Sequence, residues 1–109
     1  MVATPDRFRG TIQRWTIDAG AMSGAILDHA FNTDWSLTWR VVAGAKQGRA
    51  GRARQFNVEP VRSALFLVSF PIFDSELITA TIDFASKRVV GFLTDQDTCT
   101  RIVGSIRVL

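Results

Sequence analysis

Arg40, His29 and the trio Gln55, Asn57 and Glu59 are the residues of this sequence whose types and spacing suit chemistry. A guanidinium stays charged at any physiological pH and offers five fixed donors. Between Asp34 and Ala43 the sequence alternates, with Trp35, Leu37, Trp39 and Val41 on one face and Ser36, Thr38, Arg40 and Val42 on the other. If Arg40 points into a closed interior with Ser36 and Thr38, it needs an anion, because an unpartnered buried charge costs several kcal/mol. Glu59, Asp28, or a ligand carboxylate or enolate would serve. If the apolar face points inward instead, Arg40 is a solvated surface charge. The alternation leaves both orientations open.

His29 is the sole histidine, and a histidine can act as general acid or base near neutral pH. Asp28 precedes it, but neighbours on a strand face opposite ways, so the two cannot form a tight relay. The plainer reading is a polar residue at a strand end. Gln55, Asn57 and Glu59 share one strand face and can orient a ligand by hydrogen bonds, or simply meet water. One histidine, the single Cys99 and scattered carboxylates have no zinc-site spacing, so no metal is expected. Gly44–Gly51 carries no GK[ST] and no following helix, so it is not a phosphate loop, and no other cofactor is expected.

The elements that must position these residues read as short strands. Thr11–Ile17 sets Gln13, Trp15 and Ile17 against Ile12, Arg14 and Thr16. Ala21–Asn32 suits a short helix by composition, but Gly24 and its neighbours favour a strand over Gly24–Asn32. Asp34–Ala43, Arg54–Glu59 and Leu65–Phe70 follow, the last two ended by Pro60 and Pro71. Glu76–Ala85 alternates most cleanly, then Ser86-Lys87 turns into Arg88–Thr94, and Arg101–Leu109 is the last strand. About eight strands with turn signals between them predict an all-β, mainly antiparallel, eight-stranded barrel. Such a barrel can close without an exposed edge, and is filled by side chains or holds one small ligand.

A chain of 109 residues is one domain, 1–109, in which Met1–Gly10 reads as a flexible arm. At 47% hydrophobic it is not disordered, yet no apolar run spans a bilayer. The N-terminus has no apolar stretch of the secretory type, and one cysteine allows no internal disulfide, so a cytoplasmic location is expected. The net charge of +3 is concentrated in the Lys46–Arg54 loop and the Arg7–Arg9 arm. That loop lacks the interleaved aromatic residues of a single-strand platform, so a mobile, solvated hairpin is expected and nucleic acid is not the expected partner.

Trp39-Arg40 with Gly44, Gly48 and Arg49, then Asn57, then Val68-Ser69-Phe70 resemble the phenolic acid decarboxylase family and its MoaF-like relatives. These are small lipocalin-like (calycin) barrels, in which Val-Ser-Trp stands where this chain has Val-Ser-Phe. Trp15-Thr-Ile17 with Gly20 resembles the family's first strand, and a looser likeness continues through Thr81–Phe92. About two thirds of the chain is covered. The resemblance implies an inward arginine at Arg40, a glutamate position at Gln55, and the substrate-holding tyrosine pair at Trp15 and Ile17. Only the arginine is kept. A neutral amide cannot transfer a proton as a carboxylate does, and the chain contains no tyrosine. The family's barrel and pocket are therefore expected, and efficient decarboxylation of phenolic acids is not.

Two functions fit these residues. One is a cofactor-independent cyclase, isomerase or lyase acting on a hydrophobic or aromatic small molecule, with Arg40, Gln55 and His29 as its chemical groups. Trp15, Ile17, Thr38, Asn57, Glu59, Phe66, Val68, Phe84 and Phe92 would line its interior. The other is a non-catalytic carrier for such a molecule. If Arg40 faces in, the stripe from Trp35 to Val41 faces out and predicts a homodimer.

Overall fold

A computed structural model describes residues 8–109 and shows a barrel-like all-β fold in one curled antiparallel sheet. The strands are β1 (Ile12–Gly20), β2 (Ile26–Phe31), β3 (Leu37–Ala43), β4 (Ala50–Ala53), β5 (Asn57–Arg62), β6 (Leu65–Ile72), β7 (Glu76–Asp83), β8 (Arg88–Thr94) and β9 (Cys99–Val108). Their order across the sheet is β4-β3-β2-β1-β9-β8-β7-β6-β5. Ala21–Gly24 is a turn and the strand reading of the following segment holds.

The ninth strand is β4, drawn from the stretch read as a glycine-rich connection. Gly48, at φ 91°, helps reverse the chain after β3. Gly51 then crosses the Trp39 indole so closely that a Cβ there would come within 2.6 Å of the ring. The loop is tied down rather than free. Lys46 Nζ lies 4.3 Å from the centre of the Phe73 ring, and Arg49 bonds Asp74 at 3.3 Å. These contacts hold the β3–β4 hairpin against the β6–β7 turn, and β4 lies beside β6.

The ladder itself does not close: β4 and β5 are its two ends. Phe56 bridges the gap, donating its N–H to the Trp35 carbonyl at 2.9 Å. Pro60 sits inside β5 and does not end it, because β5 is an edge strand and a missing donor costs little there. Pro71 likewise lies in β6 beyond Ser69, the last residue that β5 pairs.

Among the described residues the interior is packed with side chains. Trp15, Phe31, Phe56, Phe66 and Phe70 interdigitate with Leu27, Leu37, Ile78 and Ile82, all at most 2% exposed. Of the N-terminal arm, residues 1–7 lie outside the described residues, but Phe8 is fully buried against Phe31 at 4.6 Å and Gly10 donates to the Phe31 carbonyl. Residues 8–10 are thus docked, not loose.

Candidate functional site

The orientation of β3 decides the fate of Arg40. Leu37, Trp39 and Val41 are buried while Thr38 and Arg40 are exposed. Burying two aliphatic side chains and an indole outweighs anything an unpaired guanidinium can gain inside. Arg40 and Thr38 are therefore outside the barrel, not lining it. Arg40 stands opposite Asp28, whose carboxylate already takes a bidentate pair from Arg14 at 2.8 and 2.9 Å. That pairing holds Asp28 below the usual carboxylate range. Leu37, Trp39 and Val41 are correspondingly not an outer surface, so they offer nothing to a second subunit.

Trp35 breaks the alternation. Its φ of 70° makes it a turn residue before β3, where Asp34 accepts the Ser36 N–H at 3.0 Å and the Ser36 hydroxyl at 2.6 Å. Those two bonds lower the Asp34 carboxyl. The indole ends up half-buried, 5.3 Å from Phe56 and under the Arg9 guanidinium at 4.9 Å.

His29 is fully buried, not at a solvated strand end. Its ring lies 4.3 Å from Trp15, 5.8 Å from Phe31 and 5.4 Å from Phe70, and neither ring nitrogen completes a hydrogen bond. Burial pushes its pKa down to about 3, opposed only in part by the Asp28 charge and the Gln13 backbone. A neutral ring enclosed by aromatic residues cannot exchange protons with a substrate, so His29 is a core residue. Gln13 is buried beside it. Its Oε1 accepts from Trp15 Nε1 at 3.2 Å and its Nε2 donates to Thr11 Oγ1 at 2.9 Å. A glutamine on the same strand face as Trp15 and Ile17 was the signal for this cluster.

Trp15, Ile17, Phe66 and Val68 face inward but are packed core, not the wall of an open cavity. Phe84 is half-buried against Phe66 at 5.6 Å. Phe92 points outward and is 49% exposed, because β8 turns Val89 and Gly91 to the core.

Gln55, Asn57 and Glu59 do share a site, on the outside of the sheet. They line a groove of about 430 Å³ whose wall includes Trp35 and Phe56. Its floor is built by the pairing of three strands: Asn57 faces Ser69, which faces Thr79, and Glu59 faces Leu67. Val58 completes the lining. The Ser69 and Thr79 hydroxyls lie 3.4 Å apart on that floor. Leu67, Ser69 and Thr79 could have been found only from the register of β5 to β7, and Trp35 only from the Phe56–Trp35 bond that joins the two ends of the sheet. Arg40, His29 and Gln55 occupy three separate places: an outer strand face, the core and this groove.

No family model matches the sequence, and no curated protein matches it. Among solved structures, the chain is similar to one described as "a putative beta-lactamase from Burkholderia vietnamiensis", at a TM-score of 0.81 and 20% identity over 97% of each chain. At that identity the likeness shows a shared fold: the whole curled sheet, end to end, is an arrangement this chain has in common with another protein.

Proposed function

We propose that this chain is a non-catalytic binding protein that takes a small, mostly apolar or aromatic molecule in the groove over β5, β6 and β7. The observation that carries this reading is the groove's composition at its size. Trp35 and Leu67 supply apolar surface over the buried Phe56 and Val58, and Gln55, Asn57, Ser69 and Thr79 supply a few convergent polar groups, in about 430 Å³. Ligand sites of about 300–1,000 Å³ have that mixture. The close packing of the described interior side chains directs this reading to the barrel's outside. The lipocalin-like resemblance supports small-molecule binding in general, with the site displaced from the barrel axis to its flank.

An enzyme using Arg40, Gln55 and His29 together is not what we propose, since the three do not meet. β-Lactam hydrolysis, the activity in the name of the similar structure, finds no support in this chain's residues. No serine here is followed three positions later by lysine, the spacing of one serine class. Among the described residues no three His, Cys, Asp or Glu side chains gather as a metal site requires.

A titration with Nile red, a neutral apolar dye, tests the reading. Saturable binding that weakens at least about five-fold in Leu67→Glu, with the melting temperature kept, is the expected result. No saturable binding, or binding indifferent to Leu67→Glu and to Asn57→Ala, overturns it.

A further inference from the structure

We infer that this groove selects ligands bearing an ammonium group over those bearing a carboxylate; the inference rests on the binding reading above. Glu59 is the one ionisable residue among those lining the groove. No hydrogen bond or ion pair among the described residues engages its carboxylate. One cation stands near it. The irregularity between Pro60 and Arg62 sets Arg62 across from Leu65, one same-face step from the Glu59–Leu67 pair. Arg62 forms no ion pair with Glu59, does not line the groove, and helps lower the Asp83 carboxyl instead. Asn57 and Val61 flank Glu59 on the same face of β5, and Leu67 stands across from it on β6. The neighbouring same-face positions of β6 are Leu65 and Ser69, neither charged. Glu59 is therefore an unpaired carboxylate within the groove, with the nearest strand-borne arginine outside the lining.

An apolar surface whose lining holds one unpaired carboxylate favours a cation over an anion there. An ammonium group has three donors and no acceptor. Glu59 can take one donor, while the Asn57 and Gln55 amide oxygens and the Ser69–Thr79 hydroxyl pair can take the others. The apolar body of the ligand then covers Leu67 and the edge of Trp35. On the outer face Phe92 stands directly across from Thr79, extending that apolar floor by one strand. The Arg9 guanidinium, stacked on Trp35, is held toward the Thr33 carbonyl at 3.1 Å and does not line the groove. The sequence-based expectation of an anionic ligand held by Arg40 is thus inverted in sign.

Because Glu59 is exposed, the preference is modest and falls with salt, as for surface ion pairs generally. Three probes with one naphthyl body test it by displacing Nile red: 2-naphthylethylamine, 2-naphthylethanol and 2-naphthylacetate. At low ionic strength the amine is expected to bind about two- to five-fold tighter than the alcohol, and the acetate weaker than both. The amine-to-alcohol ratio should collapse toward one in Glu59→Gln and at high ionic strength. If the alcohol displaces the dye but the amine gains nothing over it, the inference fails while the groove reading stands. The same holds if the preference survives Glu59→Gln. If none of the three displaces the dye, the inference fails, and the groove reading is decided by the Leu67→Glu titration alone.

Discussion

Arg40 and Asp28 face each other across the β2–β3 ladder on the outside of the barrel, and Asp28 is already held by Arg14. The arginine that could have been the charge at the heart of an interior site is instead the spare member of a surface row. Exposed pairs of this kind contribute little, and Asp28 keeps its bidentate partner when Arg40 is removed.

Arg40→Met is therefore expected to change stability by no more than about 0.5 kcal/mol. Nile red binding should also match the parent. A thermal melt and a dye titration on one variant check both. A loss of binding in a folded variant would return Arg40 to the site.

Hydroxycinnamic acids should not be decarboxylated efficiently. Proton transfer and carboxylate recognition in the resembled family need groups that Gln55, Trp15 and Ile17 do not supply. Trp15 and Ile17 are moreover within a filled core, at 0% and 2% exposure, where no substrate reaches them. Carbon dioxide release from such an acid by the purified protein, measured against buffer, checks the point. Robust release would overturn it.

Most of the fold was legible because its strongest signals are local. The alternation over Glu76–Ala85 reappears as β7, and Leu37, Trp39 and Val41 face inward as their apolar character suggests. β4 was not legible, since Ala50–Ala53 has one buried side chain, Ala53, and is a strand only because Gly51 lets it pass Trp39. The groove was half legible. Gln55, Asn57 and Glu59 announce a polar strand face, but which side of the sheet they occupy depends on the register of β5 with β6. Trp35 was misassigned to the β3 stripe because nothing in period-two patterning marks a left-handed turn residue.

Gly51→Ala is expected to destabilise the fold by about 1–3 kcal/mol, the usual range for forcing atoms into a packed site. The added methyl would meet Trp39 Cζ2, and that indole is pinned by Gly51 on one side and by the edge of Phe73, 5.1 Å away, on the other. Denaturant unfolding of the two proteins checks it. A variant as stable as the parent would mean that Trp39 has room to move.

The pH dependence of stability should carry the mark of His29. Its folded pKa of about 3 lies well below the ordinary 6.5. Between these values the unfolded chain binds a proton that the folded chain refuses, so stability rises with pH across that window. The contribution is fully present above about pH 6.5 and is lost progressively as pH falls toward 3. The limiting slope is about 1.4 kcal/mol per pH unit from this one group. Asp28, Asp34, Asp83 and Asp95 all have lowered carboxyls in the folded protein, so their contributions are also lost on acidification, but only near and below the carboxylate range of about 4. The interval from about pH 6.5 to 4.5 thus isolates the histidine. His29→Leu, of similar bulk and without a titrating group, is expected to flatten that interval while leaving the acid limb below it. Urea midpoints taken across the interval measure this directly. A parent protein already flat between those two pH values would show that the ring is protonated without cost, and would place it in contact with water.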